Sequence, residues 1–372
     1  MNTVLLDTKE NASSYAFLRD GVLHEFETWT KSESAQPGDI YLAKITRNIP
    51  SINACFADLG GQEGFLPHTE MLENTKCGDS VLVQIKRPAV GKKAPYLTQD
   101  ISFAGEYIMY LPYSLKHGVS RRVEDKKQRQ DMLKTLKALP KKSGSFVMRS
   151  KAISKSAEII EQEAIKLTQQ FEELKSKAHE LSSLGLIAES QNPLEIFLKD
   201  NTLPVDEFYC NDLSSAQKYA KPFKHMQNPM QYKNALEQYK KALRRKIPLK
   251  SGASIVIDPC EAMTVIDVNS HLSTKGHYLS VNIEAAKEIA RILRIRKTGG
   301  IILIDFIDMQ EPKQYDKLLD FFLEALKEDR IKTDVLGFTK LGILEMTRKR
   351  AQTAAPQLER CPMCGRTEEE NE

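Results

Sequence analysis

Two apolar runs carry carboxylates that a buried strand would not tolerate unpaired. They are Thr264-Val265-Ile266-Asp267-Val268-Asn269 and Ile301-Ile302-Leu303-Ile304-Asp305-Phe306-Ile307-Asp308. An ionised carboxylate is costly to bury alone, so these groups must be partnered, reach water or hold a cation. On a strand, Asp267 and Asn269 share a face, which lets the amide support the carboxylate. Asp305 and Asp308 would point to opposite faces if the strand continued, so Asp305, inside the apolar run, is the expected companion of Asp267. Two carboxylates with a neighbouring amide suit magnesium, which takes oxygen ligands and keeps several waters. Spacing alone leaves a second reading open, in which both aspartates simply cap loops at strand ends.

For the two carboxylates to meet, the elements around them must form a crossover. Between the runs lies a helical stretch, Val281 to Arg296, with Ile283, Ala286, Ile289, Ala290 and Leu293 on one stripe and Gly299-Gly300 as its stop. Strand, helix, strand in this length predicts a right-handed connection between parallel strands. Sites in such sheets lie beyond the carboxyl ends of the strands, where Asp267 and Asp305 would come together.

Upstream, an Asp20-Gly21 turn between alternating segments predicts a hairpin within the first 35 or so residues, too small to bury a core and so expected to complete a sheet built elsewhere. From Gly38 onward, about five short strands in about 75 residues suit a small OB-type barrel. Phe56 and Phe65 in these strands could stack on bases, with Lys44, Arg47, Lys86 and Arg87 nearby for phosphates. Aromatic residues in strands are usually buried, so pattern alone favours the barrel core for both rings. Phe146 to Ser150 reads as a strand ending in Arg149 and Ser150, a fork and a hydroxyl that could clamp a phosphate. Ser156 to Leu181, dense in Glu and Lys, reads as a solvent-facing helix, and Tyr232 to Lys246 as another.

Composition narrows the class. The chain has 372 residues, 41% hydrophobic and 28% charged, with a net charge of +4, so a polyanion would be held by local patches and not by a global field. No apolar run approaches the ~18 residues of a membrane span and the N-terminus lacks a signal pattern, so a cytoplasmic protein is expected. Cys55, Cys77, Cys210 and Cys260 are isolated. Cys361 and Cys364, in Cys-Pro-Met-Cys-Gly, supply half of a tetrahedral zinc site, and no second such pair exists. Two protomers sharing one zinc ion would complete it; a redox pair or idle thiols are the other readings. The terminal acidic run is expected to be disordered.

The order of these parts resembles the catalytic half of the ribonuclease E/G family over residues 1 to about 366. The matching strings are Val265 to Ser270, Ile304 to Met309, Asn282 to Ala286, Glu288 to Arg291, Gly299-Gly300, Gly342 to Arg348 and Cys-Pro-x-Cys. The resemblance implies a magnesium-dependent endoribonuclease that cuts single-stranded, AU-rich RNA and leaves 5′-phosphate and 3′-hydroxyl ends. It implies an α+β multidomain fold. An RNase H-like part, split between 1–35 and 186–250, would receive an OB-fold RNA-binding domain at 36–111 and a 5′-monophosphate sensor at 112–185. A deoxyribonuclease-I-like catalytic domain at 251–358, a zinc link at 359–366 and an acidic tail at 367–372 would complete the chain. By the same resemblance, Asp267 and Asp305 are magnesium ligands supported by Asn269, and Phe56, Phe65 and Lys332 contact RNA. Arg149 and Ser150 form the sensor pair, with Val119 at its backbone contact, and Cys361 and Cys364 hold zinc across a homodimer. The chain ends before the small domain that longer relatives use to build a tetramer, so a zinc-linked dimer is expected. Partners of the degradosome type cannot be read from the sequence. A non-catalytic RNA-binding protein is the alternative, and a DNA nuclease is disfavoured by the barrel and the sensor.

Overall fold

The computed structural model describes residues 1–350 except 31–34, 90, 92, 141–143, 182, 202, 218, 220, 221 and 271–276. The chain divides into two compact units, one built from Met1–Thr30 and the chain from Leu203 onward, the other from Lys31–Thr202. Among the described residues, no helix is long and apolar enough to cross a membrane.

The chain opens with an antiparallel meander, β1 (Asn2–Thr8), β2 (Ala12–Arg19) and β3 (Val22–Thr30). Asp20 and Gly21 turn the hairpin between β2 and β3 with positive φ of 50° and 79°, the conformation that Asp-Gly tolerates best.

In the second unit, β4 (Ile40–Ile49), β5 (Ala54–Asp58), β6 (Glu63–Pro67), β7 (Ser80–Arg87) and β8 (Tyr96–Thr98) run in the order β4-β5-β6-β8-β7. Pairing of β4 with β7 closes them into a five-stranded barrel, consistent with an OB-like domain. Cys55, Ala57, Leu66, Val83, Ile85 and Leu97 fill it. Next come β9 (Phe103–Ala104), β10 (Ile108–Leu111), β11 (Gly118–Val119), α1 (Lys126–Ala138), β12 (Ser145–Met148) and α2 (Ala157–Glu180), then β13 (Gly185–Ala188) on β4 and α3 (Pro193–Asp200). The helix α2 is not simply solvent-facing. Ile160, Ala164, Leu167, Phe171 and Leu174 recur at helical spacing, and all five are buried, while most of its Glu and Lys residues face water. One of those glutamates is structural: the Glu163 carboxylate accepts the backbone N–H groups of Glu106, Tyr107 and Ile108. Gly105 precedes them because a Cβ there would lie 2.6 Å from that carboxylate.

The first unit resumes with β14 (Glu207–Cys210), α4 (Leu213–Gln217) and β15 (Lys224–His225), which extend the opening meander in the order β15-β14-β1-β2-β3. After α5 (Ala235–Leu243) comes a six-stranded sheet built from β16 (Lys246–Pro248), β17 (Ser254–Pro259), β18 (Met263–Asn269), β19 (Gly300–Asp305), β20 (Thr333–Phe338) and β21 (Ile343–Arg348). Its order is β16-β17-β18-β19-β21-β20, and only β18 and β19 run parallel. The helix α6 (Tyr278–Ile295) connects that parallel pair, and α7 (Pro312–Leu326) comes after β19. The helix predicted over Tyr232 to Lys246 is shorter, because Lys233 and Asn234 take left-handed backbone conformations that end the turn before it.

Ile266, Val268, Ile302, Ile304, Leu344 and Met346 join Ala286, Ile289, Leu293, Leu318 and Phe322 of the two helices in one core. Each of these side chains larger than alanine contributes roughly 1.5–3 kcal/mol on burial. The stop after α6 is made at Lys297, whose φ is 53°, and not at the glycines themselves. Gly299 is needed for another reason, since a Cβ there would lie 2.7 Å from the Arg350 backbone.

Candidate active site

Alternation on β18 sends Ile266 and Val268 into the core and leaves Asp267 and Asn269 on the other face. Asp305 ends β19, and the parallel register sets it directly beside Asp267. Both lie at the carboxyl ends of their strands. The Asn269 amide donates from Nδ2 to Asp267 Oδ2 at 2.7 Å, as a supporting amide should.

The strand stops at Asp305, so alternation no longer governs the residues after it. Phe306 turns into the core and Asp308 is exposed. Asp308 stays within electrostatic reach: partial burial first, then the charges of Asp267 and Asp308, raise the Asp305 carboxyl above its ordinary pKa. The alternation argument that set Asp308 on the opposite face does not reach it, because the strand ends at Asp305. The loop is held by Asn282 of α6, fully buried, whose amide bonds both backbone groups of Ile307. The backbone N–H of Met309 donates to the Tyr315 hydroxyl at 3.2 Å.

Such a donor set fits a hard cation. Two carboxylates stand side by side in register at the carboxyl edge of parallel strands, and the charges acting on Asp305 are all negative. Among the described residues no cluster of three or more His, Cys, Asp or Glu side chains closes on one point, so water would have to complete the shell of an ion held here. Lys332 does not stand at this edge. It precedes Thr333, which pairs with Arg348, which in turn pairs with Gly300 at the opposite end of β19. Five residues of strand separate the two positions, roughly 17 Å. Its ammonium pairs with Asp334 at 2.6 Å and the side chain is exposed.

On the barrel, Phe56 and Phe65 are half-buried and outside its core, because Cys55, Ala57, Gly64 and Leu66 take the inward positions. The rings meet edge to face with centroids 5.7 Å apart. Pattern alone placed them in the core; closure of the barrel decides which face is inside.

The four-stranded sheet β11-β12-β10-β9 brings the other group together. Val119 lies opposite Met148 in register, and Arg149 and Ser150 come directly after it. The Arg149 guanidinium is engaged: it donates to the Gly105 carbonyl at 2.6 Å and to the Asp200 carboxylate at the end of α3. Arg129 of α1 donates to the carbonyls of Val119, Ser120 and Val123, which shapes the neighbouring loop. Neither Asp200 nor Arg129 carries a local sequence signal for these roles, since their partners are distant or backbone. Cys361 and Cys364 lie outside the described residues, as does His271, read from sequence as a loop residue.

The chain is similar to known proteins over most of its length. Residues 102–351 match the model of the ribonuclease E/G family. The chain is 28% identical to ribonuclease G of Escherichia coli K12 over 404 aligned positions, covering 97% of this chain and 83% of that protein. It is 29% identical to ribonuclease G of Haemophilus influenzae, covering 97% and 82%. Against ribonuclease E of a Nostoc species it is 31% identical, covering 89% of this chain and 54% of the relative.

Proposed function

The chain belongs to the ribonuclease E/G family, and from that premise we propose a magnesium-dependent endoribonuclease of RNA processing and decay. Its substrate is single-stranded, AU-rich RNA, and its products carry 5′-phosphate and 3′-hydroxyl ends. The observation that carries the reading is the register pairing of Asp267 with Asp305 at the shared carboxyl edge of parallel strands. Asp267 and Asp305 would hold the magnesium ion, which supplies an activated water and charge stabilisation at the scissile phosphate. Asn269 keeps the Asp267 carboxylate oriented through its 2.7 Å hydrogen bond. Asn282 holds the loop that carries Asp308 through both backbone groups of Ile307.

Phe56 and Phe65 offer ring faces to bases, and Lys332 adds a basic contact to the strand. Arg149, Ser150 and Val119 form the 5′-monophosphate sensor, with Arg149 as the charged fork. The barrel is an OB-fold. The meander with β14 and β15 is the split RNase H-like part, and the six-stranded sheet with its helices is the deoxyribonuclease-I-like part. Cys361 and Cys364 from two chains share one structural zinc ion and link a homodimer. The protein works in the cytoplasm.

The test is cleavage of one labelled single-stranded RNA beside the same sequence as DNA, with magnesium and with EDTA. RNA cut only in magnesium is the expected result. RNA bound and left intact would favour a non-catalytic RNA-binding protein, and cleavage indifferent to EDTA would remove the metal.

A further inference from the structure

One rung of the barrel passes through five side chains in a row. Arg47 on β4 pairs in register with Phe56 on β5, Phe56 with Phe65 on β6, Phe65 with Tyr96 on β8, and Tyr96 with Arg87 on β7. Register partners project from the same face of a sheet, so all five stand on the outside of the barrel. Tyr96 is half-buried, and its ring lies 5.9 Å from Phe65, close to the 5.7 Å between Phe65 and Phe56. A guanidinium closes each end of the row: Arg47 is 5.0 Å from the Phe56 centroid, and Arg87 is 4.6 Å from that of Tyr96. Glu63 grips Arg47 through both carboxylate oxygens at 2.6 Å, which holds it over the ring.

We propose that Tyr96 is a third base-stacking position and that Arg87 is the cation at its end, so that the barrel reads a single strand laid across its strands along this rung. The inference rests on the RNA-binding reading above and extends it by one subsite. A row of aromatic rings suits bases because every base has a π face, whatever the sequence. Guanidinium groups at both ends suit the phosphates that enter and leave the row, and they can stack on a terminal base. A double helix hides its base faces, so the occupant is a single strand.

The experiment measures affinity for labelled oligouridylates extended one nucleotide at a time, without added magnesium so that nothing is cut. Tyr96→Leu keeps the side-chain bulk and removes the ring, and Tyr96→Phe keeps the ring. For oligonucleotides long enough to span all three rings, Tyr96→Leu should bind on the order of 10-fold more weakly. For those reaching only two rings it should bind like wild type. Tyr96→Phe should stay close to wild type throughout, and both variants should melt at the wild-type temperature. Should Tyr96→Leu fail to fold, Arg87→Gln should show the same length-dependent loss, with a salt dependence shallower by about one phosphate contact. Wild-type affinity for every length in Tyr96→Leu, or in Arg87→Gln where Tyr96→Leu does not fold, overturns this inference and leaves the RNA-binding reading intact. Failure of the wild type to bind any single-stranded RNA overturns both.

Discussion

The side-chain amide of Asn282 bonds both backbone groups of Ile307: Nδ2 donates to the carbonyl at 2.8 Å, and Oδ1 accepts the N–H at 3.1 Å. Ile307 lies between Asp305 and Asp308, so a fully buried residue of α6 fixes the path of the chain just beyond the carboxylate pair. Asn282→Ala should leave both Ile307 groups without these partners, at a stability cost of about 1–3 kcal/mol. Its effect on activity should fall on kcat and not on KM, because Asn282 positions the loop and does not meet the strand. A urea melt beside steady-state kinetics checks both; a loss confined to KM would contradict the positioning role.

Asp267→Asn and Asp305→Asn should each lower cleavage by more than the roughly 10–100-fold typical of losing a supporting group, with RNA affinity nearly unchanged. Asn269→Ala should fall within that range, since it removes the 2.7 Å support and not a proposed ligand. Asp308→Asn should cost less than either ligand substitution. Single-turnover rates with matched binding isotherms decide this, and an Asp308 variant as inactive as Asp305→Asn would make it a ligand.

Arg149 already serves one carboxylate, that of Asp200. In the proposed sensor, an incoming 5′-phosphate would compete with it for the same fork. Asp200→Asn should therefore raise the preference for 5′-monophosphorylated over 5′-hydroxyl RNA by about 10-fold, the scale of one charge-assisted hydrogen bond. Arg149→Ala should equalise the two substrates. If Asp200→Asn leaves the ratio where the wild type has it, the ion pair is structural and does not gate the sensor.

Arg348 and Asp329 form an ion pair whose side chains are 1% and 2% exposed, bonded at 2.7 and 3.0 Å. Arg348 also donates to the Thr298 carbonyl at 2.5 Å. Arg348→Met strands a buried carboxylate and should cost about 3–5 kcal/mol, whereas pairing it with Asp329→Leu should recover most of that. Denaturant midpoints of the single and double variants test this by their difference.

His24 is held neutral, its pKa lowered to about 4 by burial and by the charges of Arg294, Arg19 and Arg291, against the opposing pull of Glu328. Arg294 Nη2 lies 3.2 Å from His24 Nδ1 and can donate to it, which leaves that nitrogen an acceptor. The unfolded histidine titrates near 6.5, so below that pH the unfolded chain binds the extra proton. Stability is complete above about pH 6.5 and falls toward pH 4, by about 3 kcal/mol in total. Chemical denaturation at pH 7 and pH 5 should show the loss, and His24→Gln should remove this part of it. A pH slope unchanged by the substitution would assign it to other groups.

Much of the carboxylate site is legible from local rules. Alternation places Asp267 with Asn269, and the strand-helix-strand order brings Asp305 alongside, because both depend only on spacing within short segments. Where a strand stops is not local in that sense. β19 ends at Asp305, and a buried amide on another element holds the loop that carries Asp308. Phe56 and Phe65 show the same boundary: alternation says that they share a face, but only closure of β4 on β7 says that this face is outside. Tyr96 lies on a three-residue strand, too short for any periodicity, and joins the row only through pairing with β6 and β7. Asp200 reaches Arg149 across 51 residues of chain. Side-chain periodicity is a property of the backbone and can be read from the sequence, whereas the covered face and the partner of a charge depend on contacts between distant segments that only the folded chain makes.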